Sequence, residues 1–176
     1  MSEESKDLIT LNRRGDLSPR VAFLFSMMDR IRSRLLRVIE DLTDDVIDYS
    51  PDVEGIETIG TLLLHIAGVE WSYIFEDIGE EEMDYEKWKH AFALREENLP
   101  QLTKQSLQFY IDRLTEVRSE VFTRLRNLDD SNLHKLVGVG GAEVSIEWIL
   151  FHLLEHEAMH IGQISILKRL AKTSED

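Results

Sequence analysis

The sequence contains no cysteine. That removes disulfides, thiolate metal ligands and a cysteine nucleophile together, and leaves imidazole and carboxylate as the groups able to hold a metal. Proline occurs only 3 times: Pro19 at a helix start, Pro51 in a loop and Pro100 in a weakly patterned connection. No apolar run is long enough to span a bilayer, since the most apolar stretch, Ile59 to Val69, contains a histidine and is closed by Glu70. The first residues, Met1-Ser2-Glu3-Glu4-Ser5-Lys6-Asp7, lack the basic start and apolar run of a secretory signal. A cytoplasmic location without membrane attachment is therefore expected. Basic residues are outnumbered 34 to 20, for a net charge of −14, which argues against nucleic acid as a partner because phosphate binding needs a basic face.

Hydrophobic residues make up 43% of the 176 residues, enough for one packed domain over 1–176. Residues 1–17 read as a flexible N-terminal segment. Ser18-Pro19 marks a helix start, with a capping hydroxyl and then proline at the first helical position. Leu24, Met28, Ile31, Leu35, Val38 and Leu42 follow as a buried stripe at three- and four-residue steps. Arg30, Arg32, Arg34 and Arg37 on the same segment read as its solvated face. A second helix is expected from Thr58 to near Gly79, a third from near Thr103, and a fourth from Ser145 to about Ala171. Between the second and third lies a long crossover with room for one short helix. Gly138 to Gly141 reads as a flexible connector, with a local hairpin over Val137 to Val144 left open. The pattern predicts an all-α four-helix bundle with a long crossover connection.

Two of these helices share a pattern. Thr58 precedes His65 by seven residues, and Glu70 follows it by five; Ser145 precedes His152 by seven, and Glu157 follows it by five. Either an ancestral duplication or convergence of two amphipathic helices accounts for the match.

The histidines concentrate the chemistry. His156 and His160, four residues apart, put two imidazoles on one helix face and form a bidentate clamp for a transition metal. His65, in the other apolar helix, is the best-placed third ligand, and such a set leaves positions open for water or substrate. His152 lies one turn back and reads as a pocket or core residue that supports the ligands; His90 and His134 read as surface residues. Gln163, three residues after the last ligand, is placed to orient a water or a ring. Trp71 and Trp148 stand near ligands on their own helices and are candidates to line the pocket.

The run from His156 to His160 spells H-E-x-x-H, the zinc-protease signature, and His152 to His156 spells its inverse. Their overlap shows how little five residues specify, and a metzincin would need glycine and histidine where Gln163 and Ile166 stand. A peptidase is not expected. Glu157 remains a candidate water-activating base for other chemistry.

The pairing of Thr61-Leu62-Leu63-Leu64-His65-Ile66-Ala67-Gly68-Val69-Glu70-Trp71 with His152-Leu153-Leu154-Glu155-His156-Glu157-Ala158-Met159-His160-Ile161-Gly162-Gln163-Ile164 resembles the DinB / YfiT-like superfamily. The resemblance implies a dimeric four-helix bundle with zinc or nickel on His65, His156 and His160. It further implies metal-dependent chemistry of one of three kinds. The first is transfer of a low-molecular-weight thiol to an electrophilic small molecule, the second hydrolysis by metal-activated water, and the third a non-catalytic stress-response role. One position departs from the family pattern: Ile161 stands where arginine commonly follows the last histidine.

Overall fold

The structure, a computed structural model, describes residues 11, 14–51, 53, 55–92 and 101–173. Four long helices make the frame: α1 (Pro19–Ile39), α3 (Ile59–Trp71), α5 (Leu107–Leu125) and α6 (Ile146–Thr173). Two short ones, α2 (Asp44–Ile47) and α4 (Tyr85–Trp88), lie in the connections. Helix α1 packs on α6 and α5, and α3 packs on α5 and α6, so α1 and α3 stand at opposite corners of a four-helix bundle. No helix among the described residues is long and apolar enough to cross a membrane.

The expected stripe of α1 faces inward at Leu24, Met28 and Leu35, with Leu42 just beyond the helix. The arginine face needs correction. Arg30, Arg34 and Arg37 are exposed, but Arg32 is buried in the bundle with two carboxylates around it. The cap of α1 also differs from expectation. Ser18 does not cap its own helix; its hydroxyl donates to the Leu128 carbonyl and to Asp130, and the Asp130 carboxylate instead accepts from the backbone N–H groups of Arg20 and Val21. A charged acceptor from a distant segment thus satisfies the helix start and neutralises its positive dipole end.

Helix α3 is capped by Thr58, whose hydroxyl accepts from Thr61 N–H at 3.1 Å. It continues past Trp71 into a wider π-helical turn over Ser72–Asp77, which carries the helical segment close to the expected Gly79. The crossover then holds α4 and a 3-10 turn, Lys89–Phe92. Helix α5 begins at Leu107 rather than near Thr103, because Ser106 supplies the capping hydroxyl. Between α5 and α6, β1 (Leu136–Val139) and β2 (Ala142–Ser145) pair antiparallel, with Val139 opposite Ala142. Gly140 (φ 57°) and Gly141 (φ 87°) form the two-residue turn. The open alternative of a hairpin therefore holds, and these glycines are the left-handed pair that a tight hairpin requires rather than a slack connector.

Of the N-terminal segment 1–17, residues 1–10, 12 and 13 lie outside the described residues. Arg14 to Leu17 closes a turn, with Leu17 N–H donating to the Arg14 carbonyl, and Leu17 is buried.

Candidate metal centre

Helix α6 projects His156 and His160 to the same side, one turn apart, and their ring centroids lie 4.4 Å from each other. From the neighbouring helix α3, His65 meets them: its Nε2 is 3.2 Å from His156 Nε2, and His160 Nε2 is 3.1 Å from the same atom. All three are buried, with 4%, 7% and 4% of the surface of His65, His156 and His160 exposed. Among the described residues they form a set able to offer one ligand atom each within 4.8 Å of one another. The sequence expectation for their convergence is met in geometry.

The hydrogen bonds on the far sides of the rings determine what the near sides offer. His65 Nδ1 lies 2.7 Å from the Ala91 carbonyl, and His160 Nδ1 lies 2.6 Å from Gln163 Oε1. Both oxygens only accept, so both Nδ1 atoms hold the proton and both Nε2 atoms present a lone pair. His156 Nε2 can donate to one of its two neighbours at most. With neutral rings, at least one of the two short contacts is then lone pair against lone pair, an unfavourable arrangement that a shared cation relieves. The spacing fits as well: tetrahedral Zn–N bonds of about 2.05 Å separate ligand nitrogens by about 3.3 Å. Burial pushes the His160 pKa down, against the opposing effect of Gln163, which favours the neutral ring a ligand needs. Nitrogen donors without thiolate suit zinc, nickel and related divalent ions.

The support of His65 depends on a glycine. A methyl group built on Gly68 would lie 2.3 Å from the Ala91 Cβ. Only the missing side chain lets the 3-10 turn approach α3 closely enough for Ala91 to hold His65. Trp88, buried at the end of α4 immediately before that turn, fixes it to the core and stacks on Trp71 at 6.1 Å between centroids.

Next to His156 in sequence, Glu157 joins a buried ionic cluster. Arg32 donates through Nε to Glu157 at 2.7 Å and through Nη2 to Glu70 at 2.6 Å. Arg118 donates through Nε to Glu70 at 2.6 Å and through Nη2 to Glu157 at 3.0 Å. Exchanging α1 with α5 and α3 with α6 maps each contact onto its counterpart. The two-helix repeat seen in the sequence is therefore expressed in space by the glutamates. It is expressed by the caps too, since Ser145 accepts from Trp148 N–H at 3.1 Å just as Thr58 accepts from Thr61. It breaks at the histidines: His65 joins the three-ring set, whereas His152 lies parallel on Trp148, 4.7 Å between centroids, and meets the edge of Tyr73. Burial raises the Glu70 carboxyl pKa, but the Arg118 and Arg32 guanidiniums outweigh it and hold the group below its ordinary range. Sequence reasoning missed this cluster; the repeated glutamate was its one visible trace.

The remaining candidates divide. Gln163 holds His160, as a ring-orienting role requires. His152 stands beside His156, 5.9 Å between ring centroids, without joining the set. Trp148 is 40% exposed over His152, and Trp71 stacks on Phe75 and Trp88. Ile161 is buried in the core, a position at which arginine would need its own partners. His134 is exposed as expected, while His90 is half-buried.

Comparison with known proteins gives concordant matches. The profile of the DinB superfamily matches residues 27–164. The uncharacterised protein YkkA of Bacillus subtilis is 22% identical over 163 residues, covering 90% of this chain and 92% of its own. A DinB-like protein from Bacillus cereus superposes with a TM-score of 0.64 at 21% identity, over 86% of this chain and 91% of that one. A conserved protein from Enterococcus faecalis gives 0.63 at 15% identity, over 84% and 94%. At these identities the solved structures are similar in fold.

Proposed function

Since this chain belongs to the DinB superfamily, we propose that it is a divalent-metal enzyme, zinc or nickel on His65, His156 and His160, that transfers a low-molecular-weight thiol to an electrophilic small molecule. The observation that carries the metal assignment is the convergence of three buried Nε2 atoms, two of them fixed as lone-pair donors by Ala91 and Gln163. When bound, a divalent ion would supply Lewis acidity, lowering the pKa of a thiol so that it reacts at neutral pH.

The residues around the site favour a thiol over water as nucleophile. Base-assisted hydrolysis needs a group to take the proton of water, and Glu157, next to His156 in sequence, is the carboxylate candidate. Both of its oxygens accept from guanidiniums, Oε1 from Arg32 and Oε2 from Arg32 and Arg118. We therefore assign Glu157 to holding α6 in register with the other helices rather than to proton transfer. Thiol transfer makes a smaller demand, because a thiol ionises far more readily than water. His65 and His160 keep their Nδ1 protons on Ala91 and Gln163 throughout, so the rings act as fixed neutral donors.

We further propose that the chain works in the cytoplasm as a homodimer of one-domain subunits. The exposed apolar side chains Trp148, Phe151 and Met159 on α6 support a subunit contact; sedimentation of wild type against Phe151→Glu tests it, with a shift to monomer expected.

The activity is tested by mixing protein of known metal content with glutathione or a related thiol and a simple electrophile. Loss of free thiol that requires both metal and His156 is the expected result. Turnover of an ester without thiol would instead support the hydrolase reading, and inactivity in both assays would leave a non-catalytic metal protein.

A further inference from the structure

A cavity of about 280 Å³ reaches the three-histidine site at one of its members, with His160 and its partner Gln163 in the wall. The rest is mostly aliphatic: Ile56, Leu62, Ile166, Leu167 and Leu170. Among the described residues one charged group borders it, the half-buried Glu57 carboxylate, which accepts a hydrogen bond from Gln101. Its volume is nearly twice that of a ~150 Å³ apolar cavity able to hold benzene.

We propose that this cavity binds the electrophilic partner, and that it selects a small aromatic or branched aliphatic group that is neutral or cationic. The proposal rests on thiol transfer at the three histidines and adds to it the class of acceptor. An apolar wall gains from covering a hydrocarbon surface and offers an anion no compensating hydrogen bonds. The Glu57 charge is negative, on a protein whose net charge is −14, so an anionic group is repelled locally and at long range. Small polar thiols bearing carboxylates are poor occupants for the same reasons. The walls are unequal in exposure: Leu62 and Leu167 are buried, whereas Ile166 is 53% and Leu170 40% exposed. Leu62 and Leu167 thus form a fixed floor, and Ile166 and Leu170 form the rim that sets how bulky a group is admitted.

The test uses the full chain with labelled Ile and Leu methyl groups, titrated with toluene, benzylamine and benzoate while methyl NMR shifts are recorded. The metal content of the same sample is measured alongside. Saturable shifts at Ile56, Ile166 and Leu170 with toluene and benzylamine are expected, with benzoate about tenfold weaker. Glu57→Gln should narrow the gap between benzylamine and benzoate, and Ile166→Glu, at an exposed position that tolerates charge, should abolish the toluene shifts. Three results would overturn the proposal: no methyl responds to any probe, benzoate binds as well as benzylamine, or the rim methyls shift only with protein concentration. The last would place a second copy of the chain on this face. Metal bound normally in a sample whose cavity ignores every probe would reject the cavity and spare the metal centre. Probe binding without metal uptake would do the reverse.

Discussion

Glu70 and Glu157, from different helices, share one pair of arginines: each carboxylate accepts from both Arg32 and Arg118. All four side chains are buried. The cluster ties α1, α3, α5 and α6 together at one level, and Glu157 follows His156 directly. It therefore fixes how α6 stands against α3, and with it the meeting of His65 with His156 and His160.

Removing one partner from such a cluster strands buried charge. Arg32→Met should destabilise the protein by about 3–5 kcal/mol, measured by urea denaturation. A loss below about 1 kcal/mol would mean that the cluster is hydrated or loosely held.

The same cluster sets an acid limit. Because the folded Glu70 pKa is depressed, its contribution to stability is present above the unfolded value of about 4.3 and is lost as pH falls through the folded value. Stability measured from pH 7 downward should fall below about pH 4.3. Glu70→Gln should be less stable at neutral pH and should show a flatter acid limb. An acid limb unchanged in that variant would assign the acid sensitivity to other groups.

Gly68→Ala separates helix propensity from packing. Propensity alone would stabilise α3 by about 1 kcal/mol. The added methyl, however, meets Ala91 at 2.3 Å, and overpacking of this kind costs about 1–3 kcal/mol. We expect net destabilisation together with weaker metal binding, as the Ala91 carbonyl is pushed from His65. A variant more stable than wild type would show that the turn moves freely.

Gln163→Leu leaves the ligands in place and removes the acceptor that orients His160. Metal affinity should drop about 10–100-fold, read by competition with a chelator, with little change in fold by circular dichroism.

The helices and the pair His156 and His160 were legible because both depend on local spacing, apolar steps of three and four and imidazoles four apart on α6. His65, 91 residues from His156, entered instead through its apolar helix and the family resemblance. The Gly140-Gly141 turn was not read as one: the glycines passed for a flexible connector with a hairpin left open, and the flanking strands are short enough that their pairing needed the structure to settle it. The ionic cluster was hidden for a different reason. Five arginines lie on α1, and that Arg32 is the one to turn inward is decided by carboxylates on α3 and α6, not by anything local. The cap of α1 was misassigned for the same reason, since Asp130 approaches from far along the chain. The supports of the rings fall on either side of this line. Gln163 sits one turn from His160 and was legible; the Ala91 carbonyl is a backbone atom in a crossover with weak patterning, and no side-chain signal marks it.

The most direct measurement is the metal content of the purified protein beside His65→Ala, His156→Ala and His160→Ala, by elemental analysis after loading with zinc or nickel. The account predicts about one ion per chain in the wild type, as one three-ligand site holds, and loss of it in all three variants. A wild type that takes up neither ion, or a His65→Ala variant that binds as tightly as wild type, would contradict a centre built across α3 and α6.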